Sequence, residues 1–250
     1  MKLFTSVLIS ASLAATAAVT GAVEAGREHI SKRFYDHLGQ RRANGRKLVV
    51  GGADVDQTRF PYYTILDVET PAGFFFCGAV LVNDDILLTT AECTSGFTSI
   101  FAAVNFTIES DSPTGFEYFR EITRVVVHPD FNSTNNQNDL AVLKMELPVT
   151  QVAPIPVDPN RVRNNVAVTA VGFGELAAGT GTFPTILQEV EVVTIATSLC
   201  NSLYEGTGVS VLNQRQVCAR AEGKVSISHN EKGIHNAHHD THYCCTLGYL

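Results

Sequence analysis

The residues best suited to chemistry by type and spacing stand near the end of the chain. Residues 225–250 hold five of the eight histidines, and imidazole and thiolate groups at such short intervals could bind Zn²⁺ or Ni²⁺. The candidate ligands are His235, His238, His239, His242, Cys244 and Cys245. Because this segment has few strand or helix signals, we interpret the cluster as incidental, and we predict neither a metal site nor a cofactor.

Five short strings follow one another between residues 49 and 174. They are VVGG at 49–52, FCGAVLV at 76–82, LLTTAEC at 87–93, NDLAVLK at 138–144 and VTAVGFG at 168–174. In their order and spacing they resemble the trypsin-like serine protease family, and the resemblance extends over residues 49–224. The VVGG string looks like the mature amino terminus of this family, which makes Val49 the expected first residue.

The resemblance implies a role for two carboxylates. In this family a serine hydroxyl attacks the substrate carbonyl, an imidazole takes its proton, and a buried carboxylate orients the imidazole. Asp139 stands at the position of the orienting carboxylate, but Glu92 stands where the imidazole belongs. A glutamate has no neutral donor and acceptor pair near pH 7, and it would face Asp139 with like charge. We therefore predict that Asp139 is a retained triad position and that Glu92 is non-functional.

The nucleophile of the family is also absent from its expected place. The element Gly-Asp-Ser-Gly-Gly-Pro should follow soon after Cys218, and the chain contains no such string. Ser226 and Ser228 lack the flanking glycines whose backbone amides would form an oxyanion hole, so we interpret both as ordinary serines. The missing element also carries the walls of the specificity pocket, so the sequence predicts no substrate specificity.

Cysteine and asparagine positions carry further expectations. By family spacing, Cys77 pairs with Cys93, and Cys200 pairs with Cys218. Asn105 and Asn132 each begin an Asn-x-Ser/Thr sequon, the acceptor of N-linked glycans in secreted proteins. Disulfides and N-glycans both belong to chains that enter the secretory pathway.

Short runs rich in Val, Ile, Thr, Phe and Tyr, separated by Asn, Asp, Gly and Pro, indicate an all-β fold. The predicted strands are 62–68, 74–82, 86–90, 99–108, 119–127, 140–145, 166–173, 186–195 and 216–219, with one short helix at 198–204. The resemblance implies a trypsin-like double β-barrel. We expect the first barrel to be complete over residues 49–149 and the second to be truncated, because the homologous region ends near residue 224.

The two ends of the chain differ from its centre in amino-acid composition and pattern. Residues 1–25 have the positive start, apolar run and small residues of a signal peptide. Residues 26–48 contain the dibasic pairs Lys32-Arg33 and Arg41-Arg42, and we interpret them as a basic propeptide, with a solvated linker as the alternative. Residues 49–224 form an incomplete trypsin-like domain. Residues 225–250 are a divergent tail, which we hypothesise is translated from a retained intron or a frameshift.

Charge restricts the partners of the main body. The chain has a formal net charge of −7, but residues 49–250 carry ten basic and twenty-two acidic groups, a net charge of −12. This sign disfavours nucleic acid and anionic membrane surfaces. Because the signal peptide predicts secretion, we expect a secreted protein with an extracellular protein partner.

Three functions remain open from the sequence. The leading hypothesis is a secreted, catalytically degenerate serine protease homologue that acts, if at all, by binding as a decoy, inhibitor or regulator. The second is an active serine endopeptidase, which the family resemblance alone would suggest, although Glu92 and the missing nucleophile element oppose it. The third is a defective truncated product without function.

Overall fold

Strands dominate the computed structural model, which describes residues 30–37, 52–108, 117–135, 137–160, 162–174, 184–203 and 216–220, and the backbone of residues 245–248. The strands in chain order are β1 (Ala53–Asp54), β2 (Tyr63–Thr70), β3 (Gly73–Asn83), β4 (Ile86–Thr89), β5 (Ser99–Val104), β6 (Tyr118–Val127), β7 (Ala141–Met145), β8 (Ala167–Gly172), β9 (Gln188–Ile195), β10 (Gln216–Arg220) and β11 (Cys245–Gly248). The helices of the described residues are α1 (residues 30–37) and α2 (Thr197–Leu203).

Strands β2 to β7 form a closed antiparallel barrel in the order β2-β3-β4-β7-β6-β5. Strand β2 pairs with β3 on one side and β5 on the other, so this sheet leaves no free edge. Alternate residues point inward, and the interior is filled by apolar side chains such as Leu66, Leu81, Leu87 and Leu143. The predicted complete first barrel and all-β class are confirmed.

Among the residues that the structure describes, the second sheet is open and is built around β9. Strand β9 pairs antiparallel with β8, β10 and β1, and β10 also pairs with β11. The arrangement agrees with a truncated second barrel. Strand β11 lies in the tail for which the sequence analysis predicted no regular structure, so the tail contributes one strand that the sequence pattern did not reveal.

Helix α1 lies within the predicted basic connector and packs on the outside of the first barrel. Ile30 and Phe34 are buried, and Phe34 has no exposed surface. Both belong to a cluster that also contains barrel residues and residues around the second sheet, such as Val55, Phe173 and Leu187. The solvated-linker interpretation is therefore wrong for residues 30–37, which are helical and packed.

Candidate functional site

The two acidic residues singled out from the sequence, Glu92 and Asp139, lie side by side at one end of the first barrel. Strands β4 and β7 are antiparallel neighbours, with Thr89 opposite Ala141. Glu92 follows the end of β4, and Asp139 precedes the start of β7. The register of these two strands therefore brings both residues to the same end of the barrel. The backbone N–H of Glu92 donates to Oδ1 of Asp139, with 2.8 Å between nitrogen and oxygen.

Local structure holds Glu92 in place. It begins a short 3₁₀ helix, Glu92–Thr94, in which the Thr94 hydroxyl donates to the carbonyl oxygen of Ala91 at 2.8 Å. The next residue, Cys93, is disulfide-bonded to Cys77 of β3. The turn is thus tied covalently to the barrel wall, which fixes the position of the Glu92 backbone.

Asp139 is positioned by an unusual backbone conformation just before it. Asn138 has a φ of 57°, in the left-handed region that asparagine tolerates better than most residues. Its side-chain amide donates to the carbonyl oxygen of Asp130 at 2.7 Å, and the N–H of Leu140 donates to the carbonyl oxygen of Asn138 at 2.8 Å. These bonds hold the turn that presents the Asp139 carboxylate to the Glu92 N–H.

The carboxylate therefore keeps a backbone donor but lacks an imidazole among the described residues. The described histidines, His37 and His128, have other partners. Nδ1 of His37 lies 2.8 Å from Oδ2 of Asp67, and Nδ1 of His128 accepts the N–H of Asp130 at 3.1 Å. A glutamate carboxylate cannot act as the general base in the way an imidazole does, because it is not a neutral base and has no N–H through which Asp139 could orient it.

Both implied disulfides are present. Cys77–Cys93 closes a loop between positions 16 residues apart, and Cys200–Cys218 joins α2 to β10 across 18 residues. Both pairs constrain the unfolded chain.

The two sequons differ in their surroundings. Asn132 is exposed, and its side-chain oxygen accepts the N–H of Thr134 at 2.9 Å in a surface turn. Asn105 is half-buried with a φ of 61°, and the two residues after it, Phe106 and Thr107, are buried.

Several sequence-predicted positions lie outside the described residues. These are Val49, Ser226, Ser228, His235, His238, His239, His242 and Cys244, and the side chain of Cys245. Within the described residues, no group of three or more His, Cys, Asp or Glu side chains is arranged to hold a metal ion. No described helix has both the length and the apolar character needed to cross a membrane.

Sequence reasoning missed one charged cluster, at the contact between α1 and β2. The side chain of Asp67 is fully buried and faces His37 and Arg33. Burial raises the pKa of Asp67, and the neighbouring His37 and Arg33 only partly oppose this effect. The available signal was the spacing of Ile30, Arg33, Phe34 and His37, which places all four on one face of a helix.

A closed antiparallel barrel, a second sheet beside it and a carboxylate at the barrel end are features of a serine-protease type of scaffold. The family model described as Trypsin matches residues 49–230. The chain belongs to the trypsin family. The match begins at the expected first residue, Val49, and extends six residues beyond the predicted boundary at 224.

Relatives and solved structures agree with this assignment. The chain is 32% identical over 170 residues to Serine protease filzig of Drosophila melanogaster, covering 64% of this chain and 10% of that protein. It is 25% identical over 178 residues to Cathepsin G of Mus musculus, covering 68% of this chain and 64% of that protein. A solved structure described as "Structure of GrC" superposes with a TM-score of 0.61 at 22% identity, covering 68% of this chain and 74% of that one. The chain thus spans less than two thirds of filzig and of Cathepsin G.

Proposed function

We propose that this chain is a non-catalytic member of the trypsin family that is secreted and acts by binding another extracellular protein. One observation carries the proposal. The backbone N–H of Glu92 is bonded to the Asp139 carboxylate. By resemblance, Glu92 stands in place of the general base and Asp139 is the residue that would orient an imidazole. The sequence between Cys218 and the end of the chain adds a second defect, because it lacks the Gly-Asp-Ser-Gly-Gly-Pro element.

The physical basis is the need for a proton acceptor beside the serine. A serine hydroxyl attacks only when a neighbouring base removes its proton. A glutamate carboxylate is a poor substitute for imidazole, because it has no N–H that the orienting carboxylate could accept. In the serine protease subtilisin, loss of the histidine alone costs about 10⁶ in kcat. Loss of both the base and the nucleophile element would remove the two groups by which this family forms an acyl-enzyme.

Catalysis is tested with the purified chain, a peptide amide substrate and a serine-directed phosphonofluoridate. We expect neither hydrolysis nor covalent labelling, while an active trypsin in the same assay shows both. The Glu92→His variant should remain inactive, because the nucleophile element is still missing. Stoichiometric labelling of the chain, or turnover restored by Glu92→His, would refute the non-catalytic assignment.

Secretion and binding need separate tests. The two disulfides support an oxidising compartment, where such bonds persist. Expression of the full chain in cultured eukaryotic cells should place it in the medium. The medium fraction can then be added to an active trypsin with and without a protein inhibitor of trypsin. A decoy should restore the inhibited activity and an inhibitor should lower the free activity; no change in either assay would reject both roles.

A further inference from the structure

Four neighbouring strands, β3, β2, β5 and β6, form the part of the outer barrel surface against which α1 packs, and we call this surface the groove. Side chains on β2 alternate, so Ile65, Asp67 and Glu69 point outward while Leu66 and Val68 point into the barrel. Asp67 lies directly between Phe76 of β3 and Phe101 of β5 in the strand register. In the groove, an acidic side chain therefore lies between aromatic residues of the two neighbouring strands.

Helix α1 fills this groove with one apolar face. The Phe34 ring contacts the rings of Phe76, Phe106 and Phe119 edge to face, with centroids 5.4, 5.4 and 5.5 Å away. Phe34 is fully buried, and Ile30, one turn earlier, is buried as well. Burial of two large apolar side chains together with three aromatic contacts stabilises the packing of α1 on the barrel.

Charged groups on the same face fix the position of α1 along the groove. Arg33 Nη2 lies 2.9 Å from Oε2 of Glu69, and the Arg33 guanidinium lies 4.3 Å above the centre of the Phe101 ring. His37 Nδ1 is 2.8 Å from Oδ2 of Asp67, and the imidazole stacks on Phe74 with ring centres 3.9 Å apart. Such a pattern admits one register, because a shift by one turn would separate Arg33 and His37 from their carboxylate partners.

The opposite face of α1 is solvated. Lys32 and Asp36 form an exposed ion pair at 2.6 Å, with side-chain exposures of 75% and 56%. The dibasic pair Lys32-Arg33 is therefore split between the two faces, with Lys32 in solvent and Arg33 in the groove. A protease can cut between or after these residues only when α1 opens, because cleavage requires an accessible, locally unfolded segment.

We propose that this groove is a peptide-binding site whose ligand is the α1 segment of the same chain, and that α1 stays bound non-covalently after the chain is cut between α1 and Val49. Docking also protects the Lys32-Arg33 pair, so processing is directed to Arg41-Arg42. The first cysteine of the chain is Cys77, so no disulfide can hold the released segment. Retention of the fragment depends only on the contacts in the groove.

Retention is tested on the full chain with the recognition sequence of a site-specific protease inserted between Arg42 and Ala43. After cleavage, the amino-terminal fragment should co-elute with the remainder in size-exclusion chromatography under native conditions and separate from it in urea. In the Phe34→Ala variant the fragment should elute alone. The Asp36→Ala variant is the matched control, because Asp36 lies on the solvated face, and its fragment should co-elute as in the unmodified sequence.

Protection is tested on the uncut chain with a dibasic-specific endoprotease and mass analysis of the products. Cleavage after Arg33 should be at least about tenfold faster in Phe34→Ala than in the natural sequence, and unchanged in Asp36→Ala. The substitutions lie on α1 and leave every barrel residue in place, and Ile30→Ala provides a second variant of the same face. A natural fragment that elutes alone, or equal cleavage rates after Arg33 in all variants, would overturn the proposal.

Discussion

Replacement of Asp67 by asparagine isolates the effect of one buried charge. The carboxylate has no exposed surface and is held by His37 and Arg33 from α1, with Glu69 nearby on its own strand. Its Oδ1 atom is buried without a hydrogen-bond partner among the described residues. Asparagine has nearly the same shape but carries no charge, so Asp67→Asn removes the ionisation and keeps the packing.

The sign of the effect on the free energy of unfolding follows from the direction of the Asp67 pKa shift. Burial raises the pKa of Asp67 above its ordinary value of 3.8, because loss of hydration outweighs the attraction of His37 and Arg33. A carboxyl with a raised pKa in the folded state binds protons more tightly there than in the unfolded state. Its contribution to the free energy of unfolding is therefore complete below the ordinary pKa and decreases as pH rises through the folded-state pKa. Each unit of upward shift corresponds to about 1.4 kcal/mol.

The assay is urea unfolding of both proteins between about pH 3.5 and about pH 6, with the difference taken at each pH. Carboxyl groups distant from Asp67 titrate equally in both proteins and cancel. At the acid end the two free energies of unfolding should be within about 1 kcal/mol, since the Asp67 carboxyl is then neutral. As pH rises, the natural protein should lose stability relative to Asp67→Asn. A relative gain for the natural protein would mean that the ion pairs outweigh the cost of burial, and would refute the reasoning.

Two further predictions concern single side chains of the first barrel. Arg120 is buried and donates to the carbonyl oxygens of Phe119, Leu147 and Pro148, so Arg120→Ala should lower the free energy of unfolding by roughly 2–4 kcal/mol in urea unfolding. The exposed Arg124 of β6 is the control, and an effect of Arg120→Ala as small as that of Arg124→Ala would contradict this role. In secreted material, a glycosidase should shift the mass at the exposed Asn132 sequon, and Asn132→Gln should abolish that shift while Asn105→Gln leaves it unchanged; a shift lost only in Asn105→Gln would reverse the assignment.

Most strands of this protein can be predicted from the sequence, since period-two alternation and turn residues reflect local conformational preferences. The strand at 63–70 and its partner at 73–83 were predicted within a few residues, and the helix at 197–203 was predicted within one. The meeting of Glu92 and Asp139 was predicted by resemblance, and the register of β4 and β7 supplies its physical cause. The donor in that contact is the backbone N–H of Glu92, which residue type alone does not specify.

Residue order by itself determined the all-β class and, through family spacing, the disulfide partners. It also predicts, by resemblance, that Glu92 stands in place of the general base. Only the tertiary structure decided the conformation and burial of residues 30–37. Their sequence is basic enough to suggest a solvated connector, and the surface that makes them helical exists only after β2, β3, β5 and β6 have assembled. The same holds for Asp67, which alternation places on the outside of the barrel and which α1 then buries. Local patterns set which face a side chain takes, but what covers that face depends on contacts between distant parts of the chain.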